Sequence, residues 1–421
     1  MSVPMPADRW RGPYRPDPRY PHHLVDDAGR HLFLLGKTAW TYFVCADPEG
    51  VCRRAAAQGI TVLRVALNGA PYYDVLGHDC WPWLGTSGAP DYSGFAATYW
   101  DEVRERTRLA RRYGLGLNVT LYMRHPLPAR DDIPRERAYW EQTLAVLGPE
   151  PNVFCWEIAN ETLANHDFQA AAANYLRARD TSQRPVCTSD GTTDDAAWPA
   201  EPFIDLAINH TCTGSRSLEH WYRALALNAR AHGKPAWCNE SGRERRHQND
   251  DAVHRRKQGW VWCASGCYWT HHSWDGCEGI DDNAYRAPGE EFLAPLAAFW
   301  QGLDWWRLSP TFSLVGAPPA GTLACALQAP GPARDLAVIY LATEDTGRVV
   351  PAGEVGLNLV EGLYAVRLID PASGAASEAG VLRGRGRNHV TPLALPAFTD
   401  DLAVRLDLVE GAQAERLRGT G

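Results

Sequence analysis

Two stretches of this 421-residue chain put carboxylates where chemistry could use them. Val153-Phe-Cys-Trp-Glu-Ile-Ala-Asn160-Glu161 is apolar or aromatic up to Ala159, apart from Glu157, and then stops on Asn-Glu. Pro235-Ala-Trp-Cys-Asn239-Glu240 repeats the design. A carboxylate is unfavourable at the end of a strand buried on both faces unless something uses it. Two of them facing each other across one cleft can divide a reaction. One gives a proton to a leaving oxygen while the other attacks the carbon from which that oxygen departs. Glycosidic bonds are cleaved in this way: carboxyl groups ~5–5.5 Å apart give retention through a covalent intermediate, and ~6.5–9.5 Å gives inversion. Glu161 and Glu240 are the candidate catalytic pair.

Other residues fall where strands should end. Glu157 lies inside its strand and reads as a buried charge paired with Arg64, which could instead reach Glu240. His210 closes an apolar run where a donor to the pair would be useful. Tyr122, Arg124 and His125 end a third run and are candidate substrate contacts, as are Trp40, Asn68 and, in the long loop after the second strand, Trp81 and Trp83. His271 and His272 are adjacent on a strand, point oppositely, and make a poor metal pair. Cys263-x-x-x-Cys267 has no second Cys pair nearby, and strand one reads Gly36-Lys37-Thr38 rather than His-x-His. No metal and no cofactor are therefore expected. The acidic run Asp275 to Asp282 reads as a solvated loop.

The elements that must position these residues alternate. The patterning predicts strands at 31–40, 60–67, 115–123, 153–161, 185–190, 203–210, 235–240 and 260–270. Helices are predicted at 46–58, 95–113, 133–147, 167–180, 217–232, 248–258 and 290–305, with a long aromatic loop after the second strand. Eight strands, mostly alternating with helices, imply a (β/α)8 TIM barrel whose site lies at the C-terminal ends of the strands. An open doubly wound sheet would favour a glycine-rich G-x-G-x-x-G turn after strand one, and none is present. After Pro310 short strands near Leu323, Leu336, Leu363 and Leu402 predict a C-terminal antiparallel β-sandwich. The expected boundaries are 1–308 for the barrel, 309–412 for the sandwich and 413–421 for a frayed tail.

Trp-Glu-Ile-Ala-Asn160-Glu161 resembles the strand-four signature of clan A glycoside hydrolases, the retaining (β/α)8 enzymes that include the family-5 cellulases. The resemblance implies Glu161 as acid/base, Asn160 as a binder of the sugar 2-hydroxyl and Glu240 as nucleophile. It also implies an Arg at position 64 that holds the nucleophile ionised, and Trp269 as a sugar platform at the end of strand eight. Gly36-Lys-Thr-Ala-Trp40 and Val338-Ile-Tyr-Leu with Arg367-Leu-Ile-Asp-Pro are similar to a narrower group, the apiosidase-like hydrolases with a C-terminal sandwich. That group usually carries Asp where this chain has Lys37.

Composition bounds the partners. A net charge of −8 argues against nucleic acid or an anionic membrane surface. No apolar run reaches ~18 residues, so no membrane span is expected. Seventeen Trp and 16 Tyr favour a carbohydrate partner, because sugar C–H faces stack on aromatic rings. The Pro- and Arg-rich N-terminus is no secretory signal, and several of the 11 Cys sit in apolar runs, so a reducing cytoplasm is expected. The reading is a glycoside hydrolase of retaining type. A transglycosylase using the same intermediate and a silent carbohydrate-binding barrel remain as alternatives.

Overall fold

The computed structural model describes residues 9–69, 80–123, 127–191, 195–210, 217–241, 251–272, 287–331, 334–386 and 389–409. Eight parallel strands form one sheet: β1 (Leu35–Thr38), β2 (Val62–Ala66), β3 (Gly116–Tyr122), β4 (Val153–Ala159), β5 (Val186–Cys187), β6 (Ala207–His210), β7 (Ala236–Glu240) and β8 (Tyr268–His271). Their hydrogen-bonded order, β5-β4-β3-β2-β1-β8-β7-β6, follows the chain around a nearly closed circuit. The seam between β5 and β6 is stitched by Asp205. Its N–H donates to the Val186 carbonyl, and its carboxylate accepts the Val186 N–H, each at 2.8 Å. Every residue of these strands is buried, as a sheet covered on both faces requires.

The outer layer holds α1 (Pro48–Ala57), α2 (Ala97–Arg112), α3 (Ile133–Leu147), α4 (His166–Arg179), α5 (Leu225–Arg230), α6 (Ala252–Ala264) and α7 (Leu293–Gln301). Local chemistry sets their ends. Asp47 caps α1 by accepting the Gly50 N–H at 2.8 Å, with Pro48 in the first turn. Gly114, at φ 72°, supplies the left-handed residue that turns the chain from α2 into β3. The long connection after β2 contains a hairpin, Trp83–Thr86 against Ala89–Phe95. Among the described residues no helix is long and apolar enough to cross a membrane.

Three expectations need correction. Strand one is shorter than predicted, because His31–Leu32 belongs to a small N-terminal sheet with Arg15–Pro16 and Leu24–Val25. Nearly half of the segment predicted as strand eight is helix. α6 continues to Ala264, Gly266 at φ 79° breaks it, and β8 begins only at Tyr268. All residues of α6 from His254 onward are buried, so no polar face betrays its period. The helix predicted at 217–232 is a π-helical segment, Leu218–Ala224, running into α5.

α6 is buried because the C-terminal unit covers it. That unit has a six-stranded antiparallel sheet built from β9 (Ser309–Pro310), β10 (Thr322–Gln328), β11 (Leu336–Thr343), β13 (Gly362–Ile369), β14 (Ala376–Gly384) and β16 (Asp401–Val409). Its order is β9-β10-β11-β16-β13-β14, and the pair β12 (Gly353–Leu357) and β15 (Thr391–Leu395) lies apart from it. Strand alternation gives the large sheet two apolar faces. Ile339 and Leu341 join the sandwich core with Val355 and Leu357, while Val338, Tyr340 and Ala342 join the barrel core. Tyr340 stacks on Trp260 of α6, centroids 5.4 Å apart. Arg256 and Lys257 of α6 pair with Asp401 at 2.7 Å and Asp400 at 3.2 Å.

Candidate active site

Arg64 organises the interior at the C-terminal end of the barrel. It is fully buried on β2, with its guanidinium 4.3 Å from the Trp40 ring centroid. Nε donates to Glu157 at 2.9 Å and Nη2 to the other Glu157 oxygen at 2.5 Å, a fork on one carboxylate. Nη1 donates to Glu240 at 2.7 Å, and Nη2 also reaches Asn160 Oδ1 at 2.7 Å. The two sequence alternatives for Arg64 are thus met together. Glu157 accepts further bonds from Asn118 (3.0 Å), Thr120 (2.9 Å) and Asn239 (3.1 Å). Burial would push its carboxyl up, but Arg64 and these donors hold it below the usual carboxylate value.

Glu240 ends β7 and is 3% exposed. Its approach depends on a bulge. Asn209 pairs with Cys238 and His210 with Glu240, leaving Asn239 without a counterpart on β6. The extra residue lets consecutive side chains both turn inward, Asn239 to Glu157 and Glu240 to Arg64, where strict alternation would send one of them out. Burial opposes ionisation of Glu240, yet the field of His272, His210 and Arg64 carries it well below the carboxylate range. His272 is itself depressed to about 4, by burial first, so at neutral pH it is uncharged and Arg64 is the permanent cation.

Glu161 differs in every respect. It follows β4, its side chain is 25% exposed, and it sits at φ 51°, a left-handed conformation that non-glycine residues adopt only when held there. Its N–H donates to Ser189 Oγ at 3.1 Å. His210 Nδ1 lies 3.5 Å from its carboxylate, and neither His210 ring nitrogen has a hydrogen-bond partner among the described residues. Glu161, His210 and Glu240 converge: a donor atom of each lies within 4.8 Å of the others. They are also the described side chains that could hold a metal ion.

The structure thus brings Glu161, Glu240, Asn160, Arg64 and His210 together. It places others elsewhere. Trp269 was expected at the mouth but lies mid-strand in β8 and is 2% exposed. A Cβ on Gly259 of α6 would sit 3.0 Å from its ring, so it faces the helical layer. Trp40 is 1% exposed and supports Arg64 instead of offering a face to the cleft. Tyr122 and Asn68 are buried beside a separate cavity. His125 and Arg124 lie outside the described residues, as do Asp275, Asp281 and Asp282.

Four contributors escaped the sequence reading. His272 Nε2 approaches Glu240 at 3.7 Å while Nδ1 contacts Thr38 Oγ at 3.1 Å. Its neighbour His271 points away to the Pro288 carbonyl at 3.0 Å, as adjacent strand residues must. Ser189 follows β5, and its Oγ accepts the Glu161 N–H at 3.1 Å and Arg64 Nη2 at 3.3 Å. Asn239 was visible only as the partner of Glu240. Gly191 leaves room for Glu161: a Cβ there would lie 2.7 Å from the carboxylate.

Comparisons agree with this fold. No family model matches the chain, and no curated protein does. Solved structures do. A glycoside hydrolase superposes with a TM-score of 0.73 at 14% identity, over 94% of this chain and 97% of its own. A glycoside hydrolase family 5 protein from Bacteroides vulgatus ATCC 8482 gives 0.72 at 14%, over 95% of each chain. A family 30 subfamily 8 xylanase from Clostridium acetobutylicum gives 0.52 at 11%, over 91% and 99%. At these identities the likeness establishes the fold: a TIM barrel with a β-sandwich, in the architecture of family 5 and clan A glycoside hydrolases.

Proposed function

We propose that this protein is a retaining glycoside hydrolase, with Glu240 as nucleophile and Glu161 as acid/base. The observation that carries the reading is the asymmetry of two carboxylates whose oxygens approach within 4.8 Å. That separation favours direct attack and a covalent intermediate over the wider gap that admits a water. Glu240 is buried, bonded to Arg64 and held ionised, as a nucleophile must be. Glu161 is a quarter exposed and opens to solvent, as a group that passes protons must.

In the first half-reaction a Glu240 oxygen bonds to the anomeric carbon while the glycosidic C–O bond breaks and Glu161 gives its proton to the departing oxygen. Attack converts the Glu240 carboxylate into a neutral ester, and Arg64 is left to Glu157. In the second, Glu161 takes a proton from water, the resulting hydroxide oxygen bonds to the anomeric carbon, and the ester bond to Glu240 breaks. Asn160 is tied to Arg64 through its Oδ1, and its amide N–H, which has no acceptor among the described residues, is left to meet a sugar hydroxyl at that carbon's neighbour.

Azide rescue tests the roles. On an activated aryl glycoside, Glu240→Ala with azide should give a glycosyl azide of inverted configuration, and Glu161→Ala one of retained configuration. Wild-type turnover in either alanine variant would sink the assignment.

A further inference from the structure

A second cavity, of about 320 Å³, opens at the C-terminal ends of β2 and β3, between the hairpin after β2 and the start of α3. Its walls are aromatic. Trp81 and Trp83 have ring centroids 4.9 Å apart, and Tyr92, 39% exposed, stands 5.4 Å from Trp83. Asn68 lines the same space. It is 4% exposed, and its Oδ1 has no hydrogen-bond partner among the described residues. A buried acceptor left unmet is a standing loss that an entering hydroxyl would recover.

The remaining polar groups bound the ligand's charge. Glu136 already accepts the Tyr122 hydroxyl at 2.7 Å and Arg135 at 2.8 Å. Arg135 in turn pairs with Asp132 at 3.0 Å and lies over Tyr92. Two acids against one base leave no spare cation for an anionic ligand. Aromatic faces, one unsatisfied acceptor and no surplus positive charge suit a neutral, hydroxyl-rich ring. The cavity neighbours the reaction centre in the sheet: Tyr122, which lines it, accepts the N–H of Asn160 on its backbone carbonyl at 3.0 Å.

We propose that this cavity is a subsite for one uncharged sugar unit of an oligosaccharide, with Asn68 Oδ1 accepting from a ring hydroxyl and Tyr92 packing on its C–H face. The ligand is then a chain of neutral sugars, not a uronic acid and not a simple monoglycoside. That it is a substrate rests on the hydrolase reading; that it binds does not.

The test is isothermal titration of the intact protein, in a Glu240→Gln background that prevents turnover. The probes are cellotetraose, mannotetraose, xylotetraose and, as the charged control, tetragalacturonate. At least one neutral tetraose should bind, the charged one should not, and Asn68→Leu and Tyr92→Ala should each weaken binding at least tenfold. Should Asn68→Leu fail to fold, Tyr92→Ala at its exposed position carries the test. Binding by no neutral tetraose, or binding that the substitutions leave intact, overturns the subsite. Binding that the substitutions weaken, with no glycoside ever turned over by the wild type, keeps the subsite and removes the hydrolase reading.

Discussion

Glu157→Gln changes almost nothing in shape and a great deal in hydrogen bonding. The carboxylate takes five bonds: Oε1 from Arg64 Nη2 and Asn239, Oε2 from Arg64 Nε, Asn118 and Thr120. A glutamine offers one oxygen. With its amide nitrogen in the better of the two orientations, at the Oε1 position, the Arg64 Nη2 and Asn239 donors meet another N–H. Each stranded buried donor costs ~1–3 kcal/mol, and Arg64 loses one of its two carboxylates. The sum, ~3–5 kcal/mol, is that of breaking a buried ion pair. At ~1–1.5 °C per kcal/mol for a chain of this length, the melting midpoint should fall by roughly 3–7 °C. Circular dichroism melts of the two proteins side by side at pH 7 read this directly. A fall of under ~3 °C would refute the claim that Glu157 anchors Arg64. Activity should fall as well, since Arg64 would bind Glu240 more tightly and make it a weaker nucleophile.

Gly191→Ala should move the Glu161 carboxylate, the flexible end of the contact, without straining the fold. An expected loss of ~10²-fold in kcat/KM with an unshifted melt follows from misplacing a reacting group by about 1 Å, and full activity would contradict it. His271 and His272 are depressed by burial to about 3 and about 4, so the folded protein binds fewer protons than the unfolded chain below pH 6.5. Their stabilising effect is complete above that pH and lost as pH falls, ~3 kcal/mol by pH 4 for His272 alone. Midpoints measured from pH 7 to 4 should show that slope, and His272→Gln should flatten it. Glu344 of the C-terminal unit accepts the Leu218 N–H with both oxygens at 2.9 Å, capping the segment that leads into α5. Glu344→Ala should lower the denaturant midpoint by the equivalent of ~1 kcal/mol, and an unchanged midpoint would deny the cap.

The barrel was legible because its strands are short apolar runs punctuated by glycine, proline and polar residues. α3 has the very bounds, Ile133–Leu147, that its pattern suggests. The sandwich strands at Leu336 and Leu402 lie where alternation places them. Legibility failed where burial is complete. α6 is covered by the barrel on one side and by Tyr340 and Asp401 on the other, so its Trp260-Val-Trp run reads as a strand. The site shows the same divide. Strand-end Asn160, Glu161 and Glu240 announce themselves by polarity against an apolar run. The bulge at Asn239, the inward turn of His272 and the contact of Gly191 with Glu161 depend on register and on approach between distant segments, which no single stretch of sequence encodes.

The central claim is that Glu240 bonds covalently to the sugar during turnover. A 2-deoxy-2-fluoro aryl glycoside, of whichever sugar the wild type cleaves, should inactivate the protein with a burst of one equivalent of phenol. Digestion and mass spectrometry should then place the fluorosugar on the peptide containing Pro235 to Glu240, and on Glu240 within it. A label on Glu161 or elsewhere, or turnover giving a product of inverted configuration with no label at all, would contradict the account.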